Sequence, residues 1–157
     1  NSEKGANEKQ VFTAASLIWP VKTGRITSPF GMRRGRLHAG IDIGAVKGTP
    51  IRAALAGQVL ISSVKRAYGR VVVIGHAHDH QTLYAHMLRR SVKVGEHVNK
   101  GDIIGYVGRT GRATGYHLHF ETRVAGGVPQ DPMRYLPPLA RRVSNLMDGV
   151  REKLRSF

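Results

Sequence analysis

Five short runs rich in apolar and β-branched residues follow one another along this chain: Pro50 to Ala54, Gly57 to Val64, Arg70 to Gly75, Gln81 to Met87 and Ile103 to Val107. Runs this short, alternating or continuously apolar, have the length of strands and fall below that of stable helices. The breaks between them fall at Ala56-Gly57, Tyr68-Gly69, His78-Asp79 and Gly95-Glu96, each with a residue type that turns favour. Short connections join antiparallel neighbours, so the pattern predicts a meandering, mainly β fold. The 19 glycines among 157 residues fit a chain with many tight turns. That length supports one core burying roughly 65 to 70% of the unfolded surface, and no comfortable second domain.

The two ends read differently from the middle. Residues 1–16 are mostly Glu, Lys, Asn and Ser with no apolar period, and are expected to form a linker or frayed end. The domain is expected to run over 17–137, with order starting at Leu17-Ile18-Trp19-Pro20-Val21. Pro29 makes a central strand unfavourable there and favours an edge or turn. After Pro137-Pro138 the period changes: Leu139, Val143, Leu146, Met147, Val150 and Leu154 share one helical face. An amphipathic C-terminal helix is therefore expected over 138–157, docked on its own domain or on a protein partner rather than on a membrane.

Composition removes several classes of function. Without cysteine there is no disulfide framework, thiolate metal site or cysteine nucleophile. No apolar run approaches the roughly 20 residues that span a bilayer. The chain opens at Asn1 without a signal pattern, which fits a processed or trimmed product whose signal or anchor would lie upstream. Lys and Arg total 25 against 10 Asp and Glu, a formal charge of +15, so a polyanionic partner is expected. The basic residues are scattered as Arg33-Arg34, Lys65-Arg66, Arg89-Arg90, Arg109, Arg112 and Arg141-Arg142, without a recognition helix or an aromatic platform, and nucleic acid is not the expected partner. Gly108 to Gly115 lacks the Lys-Ser/Thr of a phosphate loop and reads as a long turn feeding a strand.

The chemistry concentrates in two distant segments. His38 and Asp42 lie in Leu37-His38-Ala39-Gly40-Ile41-Asp42, and His117-Leu118-His119 lies far downstream. Two imidazoles and a carboxylate can hold Zn²⁺ with a fourth position open, the mark of a hydrolytic site, although the donor types do not exclude other divalent ions. In a strand His117 and His119 point the same way while Leu118 and Phe120 enter the core. Hydrolysis also needs a proton acceptor and a donor, and the glutamate of a His-Glu-x-x-His helix is absent. Histidines remain: if His119 binds metal, His117 is free, and His86 sits on another strand, facing as Tyr84 and Thr82 do.

Taken in order, Trp19-Pro20-Val21, Ser28-Pro29-Phe30-Gly31-Met32-Arg33, His38-Ala39-Gly40-Ile41-Asp42, Gly48-Thr49-Pro50, Tyr84-Ala85-His86 and Gly115-Tyr116-His117-Leu118-His119-Phe120-Glu121 resemble the lysostaphin/LytM-type peptidoglycan endopeptidases. The resemblance spans about Trp19 to Leu136. It implies an antiparallel sheet or half-barrel with an open groove, zinc held by His38, Asp42 and His119, and His86 and His117 flanking the attacking water and the scissile carbonyl. In that scheme His117 is the general base, and His86 stabilises the oxyanion or protonates the leaving amine. Residues 92–105 also resemble the turn-rich half-barrel of biotinyl and lipoyl carriers, but no lysine sits at a carrier-type hairpin tip, so the likeness is one of architecture.

The remaining candidates carry two readings each. His76-Ala77-His78-Asp79-His80 is expected to be a solvated hairpin tip, with a second metal site as the alternative. His97 reads as surface. Glu121 shares the His117 and His119 face and either orients a ligand or ends a strand; Tyr84 either hydrogen-bonds near the site or is half-buried. Only Arg34-Gly35-Arg36-Leu37 separates Arg33 from His38, which suggests a low wall and an open groove. The functional expectation is a zinc endopeptidase, extracytoplasmic in the periplasm or cell envelope, acting on peptidoglycan stem peptides, with D-alanyl-diaminopimelate bonds favoured. Its rival is a catalytically silent wall-binding activator or scaffold of the same fold.

Overall fold

A computed structural model describes residues 12–14 and 16–139. The helix expected over 138–157 lies outside the described residues apart from its first two positions, as does most of the segment 1–16. Twelve strands form among the described residues: β1 (Arg25–Ser28), β2 (Gly31–Arg33), β3 (Arg36–His38), β4 (Ile41–Gly44), β5 (Pro50–Arg52), β6 (Gly57–Lys65), β7 (Gly69–Gly75), β8 (Gln81–Arg90), β9 (His97–Val98), β10 (Ile103–Val107), β11 (His117–Val124) and β12 (Val128–Gln130). All described pairings are antiparallel. The five sequence runs become β5, β6, β7, β8 and β10, because the apolar side chains of each are buried, in one row along β6 and almost continuously along β7 and β8. No helix among the described residues is long and apolar enough to cross a membrane.

The strand order differs from a meander. The main sheet runs β1-β4-β11-β8-β7-β6-β9, with β10 pairing β5 and β8, and β12 pairing β11. Tight turns fix only neighbouring strands; β11 inserts between β4 and β8 because Leu118 and Phe120, both fully buried, complete the core there. Ile41 and Ile43 on β4 and Tyr84 on β8 pack into that same cluster. The segment around Pro29 is the turn between β1 and a separate β2–β3 hairpin, whose two-residue bend at Arg34 (φ 51) and Gly35 (φ 76) has the left-handed backbone of a tight hairpin.

Packing also reaches back before Leu17. Phe12 is buried, with its ring 4.6 Å from that of His80, 4.9 Å from Tyr135 and 5.6 Å from His76. The His-rich connection between β7 and β8 is accordingly solvated only at its tip. His78 and Asp79 are exposed, but His76 is buried. Its Nδ1–H donates to the Ala56 carbonyl at 2.7 Å, and Nε2 lies 2.8 Å from Thr82 Oγ1.

A bulge in β8 matters most for function. Between the pairs Arg70↔Met87 and Val72↔Tyr84, β8 uses one residue more than β7. The extra residue falls beside His86, which takes a left-handed backbone (φ 61) and donates its N–H to the Tyr68 carbonyl at 2.8 Å. Here β8 also changes partner, pairing β11 through Ala85 and β10 from Met87 onward. The expectation that His86 faces as Tyr84 and Thr82 do is therefore overturned: the bulge breaks the alternation. Tyr84 points into the core, its hydroxyl accepting from Ala54 N–H at 2.8 Å and donating to Thr82 Oγ1 at 2.9 Å.

Candidate metal centre

The register of β11 on β4 sets His119 directly opposite Asp42. His119 Nδ1 lies 2.8 Å from Asp42 Oδ1. His38, at the end of β3, donates Nδ1–H to the Pro29 carbonyl at 2.7 Å, which leaves Nε2 facing Asp42 Oδ2 at 3.3 Å. One ligand atom from each of His38, Asp42 and His119 falls within 4.8 Å of the others. The turn between the first two needs Gly40: a Cβ there would meet the Phe120 carbonyl oxygen at 2.2 Å. A larger residue would push the ligand turn off β11.

The electrostatics favour a cation at this point. Burial tends to raise the Asp42 pKa, but the His119 hydrogen bond and the neighbouring imidazoles outweigh it and hold the carboxyl below its ordinary value. Burial also works against a charged His119, yet Asp42 and Glu121, one at each ring nitrogen, push its pKa up to about 9. A pocket that stabilises positive charge between the half-buried Asp42 and the buried Glu121, with borderline and hard donors at metal spacing, fits a divalent ion such as zinc.

Glu121 is part of this site and not an ordinary strand end. It is fully buried, with Oε2 2.8 Å from His119 Nε2. Tyr68 donates its hydroxyl to the same oxygen at 2.6 Å, while Arg123 reaches Oε1 through Nε at 2.9 Å and Nη2 at 2.7 Å. These contacts hold Glu121 ionised, its pKa lowered although burial alone would raise it. The Tyr68 hydroxyl is pushed up to about 12 by burial and by Glu121. Sequence reasoning passed over Tyr68 and Arg123. Alternation along β11 could have found Arg123, two residues beyond Glu121; Tyr68 comes from a turn and left no such signal.

Two further imidazoles face the cluster. His117 donates Nδ1–H to the Gly115 carbonyl at 3.0 Å and places Nε2 3.7 Å from Asp42 Oδ1. His86 donates Nδ1–H to the Thr110 carbonyl at 2.7 Å, which leaves Nε2 as its available nitrogen. The two rings meet edge-on at 4.9 Å. Burial, joined by the nearby imidazoles, pushes the His86 pKa down. All five histidine and aspartate positions singled out in the sequence line one open cavity of about 350 Å³, together with Tyr68, Arg33, Arg112 and Thr114. Tyr84 is absent from it, and Tyr116 stands outside, half-exposed under the Arg109 guanidinium at 5.1 Å.

An antiparallel sheet thus carries a His-Asp-His cluster at metal-ligand spacing in an open groove, with two more histidines facing it. The chain belongs to peptidase family M23, which its residues 36–132 match. It is 44% identical over 127 residues to the DD-carboxypeptidase/endopeptidase Mpg of Neisseria meningitidis, an alignment covering 77% of this chain and 29% of that protein. The chain thus spans less than a third of this relative's length. Among solved structures, the antimicrobial peptidase lysostaphin from Staphylococcus simulans superposes with a TM-score of 0.70 at 28% identity, over 81% of this chain and 54% of that one. A zinc-containing peptidase from Vibrio cholerae superposes with a TM-score of 0.69 at 32% identity, over 82% of this chain and 41% of its own.

Proposed function

We propose that this chain is a zinc-dependent endopeptidase that hydrolyses peptide cross-links of bacterial peptidoglycan, with D-alanyl-diaminopimelate bonds as its substrate. The observation that carries the reading is the convergence of His38, Asp42 and His119 within 4.8 Å, with His86 and His117 lining the same cavity. Mpg, named as a DD-carboxypeptidase/endopeptidase, supports the bond assignment. Zinc, held by His38 Nε2, Asp42 and His119 Nδ1, would supply a Lewis acid that polarises the carbonyl and brings water's pKa toward about 7.

The hydrogen bonds at Nδ1 of the two histidines support the roles assigned to them. His117, with Nδ1–H committed to Gly115, offers Nε2 as a proton acceptor on the cluster's edge, and Asp42 3.7 Å away stabilises the imidazolium that results. His86 acts on the leaving amine or the oxyanion, for which its Nε2 must carry a proton. Its lowered pKa keeps the resting ring neutral, so Nε2 gains that proton only during the reaction and gives it up readily to an amine. Substrate and enzyme would meet in the cell envelope, where the net charge of +15 favours an anionic wall polymer. The silent-activator reading has no observation of its own, since every position the chemistry needs is filled. Incubating zinc-loaded protein with purified sacculi, then cutting the glycan strands with a muramidase and analysing the muropeptides, tests the proposal: conversion of cross-linked dimers to monomers supports it, and intact cross-links reject it.

A further inference from the structure

The metal cluster lies between two walls that each carry an arginine. On one side the β2–β3 hairpin ends β2 with Arg33, whose Nη1 donates to Ser28 Oγ at 2.6 Å. Ser28 pairs in register with Asp42, so this guanidinium is tethered beside the ligand strand. On the other side the loop before β11 presents Arg112, its backbone fixed by a 3.0 Å hydrogen bond from its N–H to the Ala67 carbonyl. Both residues line the cavity that holds the cluster.

Neither arginine has a carboxylate partner among the described residues, where Arg123 is the one arginine in an ion pair. The acids near the groove are committed: Asp42 to the imidazoles and Glu121, fully buried, to His119, Tyr68 and Arg123. Arg33 is moreover paired across the hairpin with Arg36, with Arg34 in the turn between them. Like charges directly opposite on two strands are unfavourable, and a bound anion relieves that repulsion. Guanidinium forks match carboxylates in shape and can bind both oxygens at once.

We propose that Arg33 and Arg112 form a two-sided carboxylate clamp, which selects substrates with an ionised carboxylate beside the scissile amide. The inference rests on the endopeptidase reading above and sharpens it. Diaminopimelate joined through one amine keeps a free carboxylate on the carbon bearing that amine, adjacent to the bond to be cut. A glycyl-glycine bridge has none there. The clamp therefore separates the two kinds of cross-link by chemistry at the bond, where the zinc ligands alone would treat them alike.

The test uses two D-alanyl peptides that differ only in whether the residue after the scissile amide ends in a carboxylate or a carboxamide. Hydrolysis by the zinc-loaded protein gives the acid-over-amide ratio of kcat/KM, and calorimetry gives the same ratio for binding. The wild type should prefer the acid by roughly tenfold or more, carried mainly by KM, as expected for charge-assisted hydrogen bonds in a partly exposed groove. Arg33→Gln and Arg112→Gln should each cut that ratio several-fold and the double variant should bring it near one. Arg→Lys at either place should restore part of it, and Lys65→Gln, on the exposed end of β6, should leave it unchanged. A wild-type ratio near one in both assays, or a ratio that survives the double substitution, overturns the clamp. Selective, arginine-dependent binding of the acid without hydrolysis would uphold the clamp while rejecting the endopeptidase reading.

Discussion

Glu121 Oε2 lies 2.8 Å from His119 Nε2, on the side of the ring opposite the nitrogen that faces Asp42. A carboxylate there fixes both the tautomer and the tilt of the imidazole, which in the proposed site would leave Nδ1 for the ion. Partners of this kind typically contribute 10- to 100-fold in metal affinity, so Glu121→Gln should weaken zinc binding by about that factor. Competition against a chelating dye measures it. Unchanged affinity would show that Glu121 merely fills space.

Tyr68 ties that carboxylate from the groove side, donating at 2.6 Å and accepting from Arg123 at 3.1 Å. Tyr68→Phe keeps the ring, which stacks on His119, and removes only the hydroxyl. The expected cost is about 1 to 3 kcal/mol of stability, because Glu121 loses a short charge-assisted hydrogen bond. Thermal unfolding with and without zinc reads it, and an unaltered melting temperature would contradict the network.

Removing His117 or His86 should leave the ligand trio intact while taking out proton transfer. His117→Ala and His86→Ala are expected to lose about 10²- to 10⁴-fold in kcat and to keep one zinc per chain. Metal analysis beside a cleavage assay separates this outcome from collapse of the site. Full activity of His117→Ala would overturn its assignment as base.

Tyr84 gives the contrasting case. Its hydroxyl accepts from the Ala54 N–H in the core, so Tyr84→Phe strands a buried donor at about 1 to 3 kcal/mol. Activity per folded molecule should stay at the wild-type level. A selective fall in kcat would place Tyr84 in the chemistry and contradict the bulge that turns it away.

Gly40→Ala probes the ligand turn itself. A Cβ at 2.2 Å from the Phe120 carbonyl oxygen and 2.8 Å from Glu121 Cγ cannot be accommodated without moving backbone. The expected result is about 1 to 3 kcal/mol or more of destabilisation together with weakened zinc binding. Wild-type zinc affinity in this variant would show that the turn yields freely.

Much of this was legible in the sequence because it is periodic. The strands β5 to β8 and β10 follow their apolar alternation, and His117 and His119 share a face as β-spacing requires. His86 escaped that logic: a bulge is one inserted residue and leaves no mark in an apolar pattern, so its direction was misread while its identity was found. The position of β11 between β4 and β8 was equally hidden, since it depends on long-range burial of Leu118 and Phe120 rather than on a turn. Phe12 and His76 looked like members of polar, exposed segments and are buried against each other instead. Composition averages over a segment, whereas a single aromatic side chain decides where that segment packs.

Mass spectrometry of the muropeptides that a muramidase frees from sacculi already treated with the zinc-loaded protein, with Asp42→Ala run in parallel, reads the cleaved bond directly. Cross-linked dimers should convert to monomers bearing a new D-alanine carboxyl terminus and a freed diaminopimelate amine, and the variant should leave the dimers intact. Dimers left intact by protein carrying its full complement of zinc would contradict the endopeptidase reading.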